Sequence, residues 1–85
     1  MYTIEAVDAA DLGRAIRRLR KQRGWTQAVL AEWLGVHPIT VGRLERGASV
    51  AVTVAMRAIS LLGAKAIVVP KGASVEAIGE EPPRE

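Results

Sequence analysis

Few side chains in this sequence could carry covalent or metal chemistry. There is no Cys and only one His, His37, which excludes a thiolate nucleophile, a disulfide framework, a thiolate metal site and a His-rich metal site. Ser49, Ser60 and Ser74 have no nearby base, and the central region offers no paired carboxylates on one face. A chain of 85 residues also leaves little room for a substrate pocket of the usual ~300–1,000 Å³. The expectation is a protein that is not an enzyme, holds no metal and needs no cofactor.

The remaining chemistry is charge. Arg14, Arg17, Arg18, Arg20, Lys21 and Arg23 crowd one short stretch. Glu5, Asp8 and Asp11 give residues 1–13 a net −3, and Glu76, Glu80, Glu81 and Glu85 with Arg84 give residues 75–85 another −3. With +3 overall, the interior carries +9. A basic middle between acidic ends favours a polyanionic partner, nucleic acid before an anionic membrane. A solvated helix face accounts for the same charge equally well.

Hydrophobic residues make up 49% of the chain, yet Phe is absent, so the core must come from Leu, Ile, Val and Ala. That composition suits packed helices. Residues 1–7 read as an N-terminal arm or edge strand. Asp8, a capping residue, and Asp11, an acid in the first turn, open a helix that Gly24 ends. Leu12, Ala15, Ile16 and Leu19 form its apolar stripe, with Arg14, Arg17, Arg18 and Lys21 opposite. A second helix starts on Thr26 and stops at Gly35, with Ala28, Leu30, Ala31 and Leu34 facing inward. A third starts after His37, with Pro38 at its first position, and runs through Arg46 to Gly47. So tight a link between the second and third helices forces a sharp turn. From about Val50 to Leu62 the Val/Thr run is β-prone, but Val52, Ala55, Ile59 and Leu62 fit a helix face ended by Gly63. Lys65–Val69 reads as a short strand, and 73–85, rich in Glu, Pro and Gly, as a disordered tail. The domain spans 8–72.

Three short helices with a Gly-terminated turn match a helix-turn-helix. The residues resemble the Cro and lambda-repressor (XRE-type) family in Gly24-Trp25-Thr26-Gln27, Leu30-Ala31, Leu34-Gly35-Val36, Thr40-Val41 and Leu44-Glu45-Arg46-Gly47. The resemblance covers about half the chain without a gap. An arm, a fourth helix and a C-terminal strand in that order are most similar to HipB-type antitoxins. It implies a mainly α, compact four-helix DNA-binding domain whose short C-terminal β-strand pairs across a dimer. It also implies a sequence-specific transcriptional regulator, a repressor, in its specific version an antitoxin that autoregulates its operon and binds a toxin such as a HipA-like kinase.

Carried over residue by residue, Gln27 contacts the DNA backbone from the start of the second helix, where unsatisfied N–H groups favour phosphate; a capping or surface role is the plainer reading. Arg20 and Glu45 match a structural salt bridge. Trp25 is expected in the core. The third helix is the reader, presenting His37, Pro38, Ile39, Thr40, Gly42 and Arg43, with Arg46 on phosphate. His37 is a phosphate contact, a pH-sensitive cap or an imperfect cap. Pro38 departs from the family, where many members carry a Gln able to bond adenine, and Gly42 replaces a longer polar residue. Readout then falls on Arg43 toward guanine and Ile39 toward a thymine methyl. These two departures also suit a second reading, a protein-interaction module whose fold has lost base readout.

Two-fold dimers place two readers in successive major grooves of double-stranded DNA, ~34 Å apart on an inverted repeat. The apolar excess of Val52, Val54, Met56, Ile59, Ile67, Val68 and Val69 suggests a self-complementary homodimer interface. No apolar stretch approaches the ~20 residues of a membrane helix. The opening MYTIEAVDAA carries acids where a signal peptide would be basic. A cytoplasmic, nucleoid-associated protein is expected.

Overall fold

The computed structural model describes residues 2–67, the side chain of Tyr2 excepted. Along them run β1 (Tyr2–Ile4), α1 (Ala9–Gln22), α2 (Gln27–Leu34), α3 (Pro38–Glu45), α4 (Val52–Leu61) and β2 (Ala64–Ala66). Three of the four helices start on a side chain that satisfies an otherwise orphaned N–H. Asp8 accepts from the Asp11 N–H at 2.8 Å, and Asp11 reaches back to accept from the Val7 N–H at 3.0 Å. These reciprocal bonds resemble a capping box. Thr26 Oγ1 accepts from the Val29 N–H at 3.1 Å, and His37 Nδ1 accepts from the Ile39 N–H at 3.1 Å. Ala51, ahead of α4, makes no side-chain cap bond.

The short turn between α2 and α3 depends on Gly35, whose φ of 70° lies in the left-handed region that costs a side chain dearly. It lets the Gly35 and Val36 N–H groups close onto carbonyls of the last turn of α2. Pro38 then opens α3 at a position whose missing donor costs nothing.

Apolar residues from all four helical segments meet in one core. Ile16, Leu30, Leu34, Val41 and Leu62 are its largest fully buried side chains, and Leu12, Ala15 and Trp25 pack against it while half-buried. α1 crosses α3 at Gly13, where a Cβ would fall 2.6 Å from the Leu44 carbonyl oxygen. A glycine inside a helix costs about 1 kcal/mol relative to Ala. Here the missing side chain is what lets the two backbones touch.

The fourth segment is a helix despite its β-prone run. Burial of Ala55, Ala58 and Ile59 on one face outweighs the mild helix penalty of Val and Thr. Ala55, Ile59 and Leu62 are buried on the expected face, and Val52 departs from it at 75% exposed. Ile59, expected at a dimer interface, is 3% exposed and belongs to the protomer's own core, so it has no surface to offer a mate. Ala28, expected inside, lies on the exposed side of α2.

The N-terminal arm is a strand of the same body. β1 pairs in parallel with β2, in the register Tyr2 with Ala64, Thr3 with Lys65 and Ile4 with Ala66. Parallel pairing needs a long crossover, and here the four helices supply it. Ile4 and Ala64 are drawn into the core. The expected strand 65–69 is therefore shifted to Ala64–Ala66 and already paired along one edge within the chain. Val68, Val69 and the expected tail 73–85 lie outside the described residues.

Candidate nucleic-acid interface

α3 is held from behind by a polar lock. Arg20 Nε donates to Glu45 Oε2 at 2.6 Å and Arg20 Nη2 donates to Glu45 Oε1 at 3.0 Å. Both residues are buried. A bidentate charged pair is among the strongest and most directional hydrogen-bond arrangements available. Two further bonds complete it. Arg20 Nη1 donates to the Trp25 carbonyl oxygen at 2.8 Å, and Gln27 Nε2 donates to Glu45 Oε1 at 3.0 Å. Thus the end of α1, the start of α2 and the end of α3 converge on one carboxylate. Among the described residues no buried side-chain polar atom lacks a partner.

The lock uses one face of α3 and leaves the other open. Val41 and Leu44 point into the core, while His37, Pro38, Ile39, Arg43 and Arg46 are exposed and Thr40 is half-buried. Ile39, at 65% exposed, is a large apolar side chain that the described residues leave mostly uncovered. Arg43 Nη2 donates to the Ser49 carbonyl oxygen at 3.1 Å, which ties the guanidinium to the α3–α4 loop. A shallow groove between α3 and that loop is lined by Val36, His37, Ile39, Thr40, Arg43 and Val54, among others.

Gly42 lies elsewhere than expected. It is buried beneath two neighbours instead of facing outward with the reading side chains: a Cβ there would stand 3.2 Å from Arg46 Nη1 and 3.7 Å from Gln27 Oε1. Gln27 and Arg46 therefore form one exposed corner over the buried Gly42, with Gln27 braced to Glu45 and its backbone at the first turn of α2. His37 has a defined role in the fold, because its Nδ1 accepts the Ile39 N–H. A neutral imidazole that accepts at Nδ1 carries its proton on Nε2, available as a donor.

Two cations of the basic face of α1 line a groove that shares no residue with the one at α3. Arg14 and Arg18 line a groove between α1 and β1, together with Glu5, Asp11 and Gln22. Arg14 also pairs with Asp11. The carboxyl of Asp11 is held below its usual value, first by the Val7 N–H it accepts and also by the Arg14 guanidinium.

Two features escaped the sequence reading. Gly13 was legible as a glycine inside a helical stripe, which usually has a packing reason. Trp33 was legible from the period of α2: with Leu30, Ala31 and Leu34 inward, it must face out, and it is 61% exposed. It stacks on Trp25 with ring centroids 6.4 Å apart.

The geometry is that of a helix-turn-helix. The description of the helix-turn-helix domain family matches residues 11–70, and the chain belongs to that family. Over 37 residues it is 46% identical to the competence pilus inhibition repressor of Acinetobacter baylyi, a match covering 44% of this chain and 34% of the repressor. The match thus spans about a third of that relative's length. Among solved structures, the chain is similar to one in a HipA-HipB-O2-O3 complex, with a TM-score of 0.70, 22% identity, and coverage of 79% of this chain and 96% of the other. It is also similar to one in a complex of a HipB variant with an O2 20mer, with a TM-score of 0.70, 24% identity, and coverage of 79% and 94%. These likenesses define the fold. No helix among the described residues is long and apolar enough to cross a membrane.

Proposed function

We propose that this chain is a sequence-specific DNA-binding transcriptional regulator, a repressor that acts as a homodimer on an inverted repeat in double-stranded DNA. The observation that carries this reading is the division of α3 into two faces. One is locked by Arg20, Glu45 and Gln27, and the other exposes Ile39 and Arg43. A reading helix needs both, because base contacts are short and directional and a loosely held helix cannot keep their register. The Gln27–Arg46 corner and the His37 Nε2–H would contact phosphates, which position the domain. Ile39, Thr40 and Arg43 would read bases.

In its specific form the proposal is an antitoxin that represses its own operon and binds a toxin, a HipA-like kinase. The HipB chains of similar fold and the repressor relative support it. The exposed side chains of Val52 and Met56 on α4 suit contact with the second copy, with Ile67 beside β2. Action on DNA would place the protein in the cytoplasm, with the nucleoid.

Selection of bound duplexes from a random pool at low and high salt tests the proposal. An inverted repeat with half-site centres ~34 Å apart, bound more weakly at high salt because phosphate contacts release counterions, is the expected result. Arg43→Ala should then relax one guanine position, with a loss of about 1–3 kcal/mol of discrimination. No enrichment at either salt would overturn it.

A second reading, a protein-interaction module that has lost base readout, has one observation in its favour. Arg43 is tied to the Ser49 carbonyl and must leave it to reach a base. Binding that ignores salt would favour this reading.

A further inference from the structure

The stacked pair Trp25 and Trp33 plays no part in the reading surface. Trp25 precedes α2 and Trp33 sits in its last turn, with the ring planes only 20° apart. The Arg23 guanidinium lies 5.2 Å from the Trp25 ring centroid. Together they make an aromatic step with a cation over the Trp25 ring. Most of Trp33 faces solvent, whereas an indole this exposed forgoes the large burial term that makes Trp valuable.

Arg23, the cation of the step, lies against the turn that leads into β2. A Cβ built on Gly63 would be 3.0 Å from Arg23 Nη2, and Gly63 immediately precedes β2. The chain beyond β2 contains Glu80-Glu81-Pro82-Pro83. A diproline is already biased to the extended polyproline conformation and loses little entropy on docking against aromatic rings. The two carboxylates that precede it complement Arg23. The sixteen residues from Ile67 to Pro82 span up to about 50 Å when extended, so reach is not limiting.

We propose that Glu80–Pro83 docks on this step: the two prolines cover the Trp25–Trp33 stack, and the glutamates face Arg23. The contact is intramolecular, so a tether of this length holds the segment at an effective concentration in the millimolar range, and a weak contact is enough to populate it. The docking is independent of DNA binding.

Trp25 and Trp33 are the chain's two tryptophans, so intrinsic fluorescence reads the step alone. In the full chain, Pro82→Ala combined with Pro83→Ala should red-shift the emission and raise acrylamide quenching roughly twofold, as an intramolecular cover is lost. Helicity of α1 to α4 should stay unchanged, because the substitutions lie outside those four segments. Glu80→Gln combined with Glu81→Gln should red-shift it less. Raising salt should shift the unsubstituted chain but not this variant, because the ion pairs are exposed and screened. A synthetic peptide of residues 76–85 at millimolar concentration should restore the blue emission of the proline variant. Identical spectra and quenching in all three chains would overturn the proposal. A blue shift that grows with protein concentration and survives the proline substitutions would also overturn it, since a second copy would then cover the step.

Discussion

Gly13 of α1 lies directly against the backbone of Glu45 in α3, so close that a Cβ on Gly13 would overlap the Glu45 carbonyl. The obstacle is backbone on both sides, at Leu44 and Glu45, and neither can swing away. Gly13→Ala should therefore separate α1 from α3 and destabilise the fold by about 3 kcal/mol, despite the better helix propensity of Ala. Urea unfolding measures this directly.

The Arg20–Glu45 pair makes a different prediction. Glu45→Ala leaves a buried guanidinium without its carboxylate and should cost about 3–5 kcal/mol. Replacing both partners by apolar residues, Arg20→Met with Glu45→Leu, removes the uncompensated charge and should recover most of the loss. If the double variant is as unstable as Glu45→Ala, the pair's contribution lies in more than its charge balance. Denaturant midpoints of Arg20→Met, Glu45→Leu and the double variant complete the cycle.

Gly42→Ala should have the opposite sign to Gly13→Ala. The added methyl meets the far end of the Arg46 side chain, which can move, and its backbone conformation is helical. The gain in helix propensity should then show as about 0.5–1 kcal/mol of added stability. Thermal unfolding of the two glycine variants side by side distinguishes a tight crossing from a replaceable gap.

Asp11 gives the pH dependence its sign. Its carboxyl titrates lower in the folded chain than in the unfolded one, because it accepts the Val7 N–H and faces Arg14. The unfolded state therefore takes up the proton first. The stabilisation is fully present above the unfolded carboxylate range and is lost as pH falls through about 4 and below. Asp11→Asn should flatten that part of the acid limb in a series of urea midpoints against pH, and fraying should begin at the first turn of α1.

The Arg20–Glu45 pair entered only through the family resemblance, whereas four helices, the caps at Asp8 and Thr26, a cap as one role for His37 and the turn at Gly35 were legible in the residues. These last follow from local rules. Asp8, Thr26 and His37 stand where a side chain can take an orphaned N–H, and apolar residues recur at the helical period. Charge alone also separated the basic face of α1 from the acidic ends, and the absence of Cys removed whole classes of chemistry.

The tertiary structure decided what depends on two distant segments meeting. The partner of β1 is one such choice: three residues of strand specify no mate until four helices carry Ala64 back beside Tyr2. Another is the face of α4, where Val52 and Ile59 look equivalent by period; the core takes Ile59 and leaves Val52 outside. Gly42, expected among the residues that the reader presents, proved to be the floor beneath Gln27 and Arg46. Periodicity states that a helix has an apolar side, but only packing against a particular neighbour sets which residues lie at its centre, because burial is a property of pairs of surfaces.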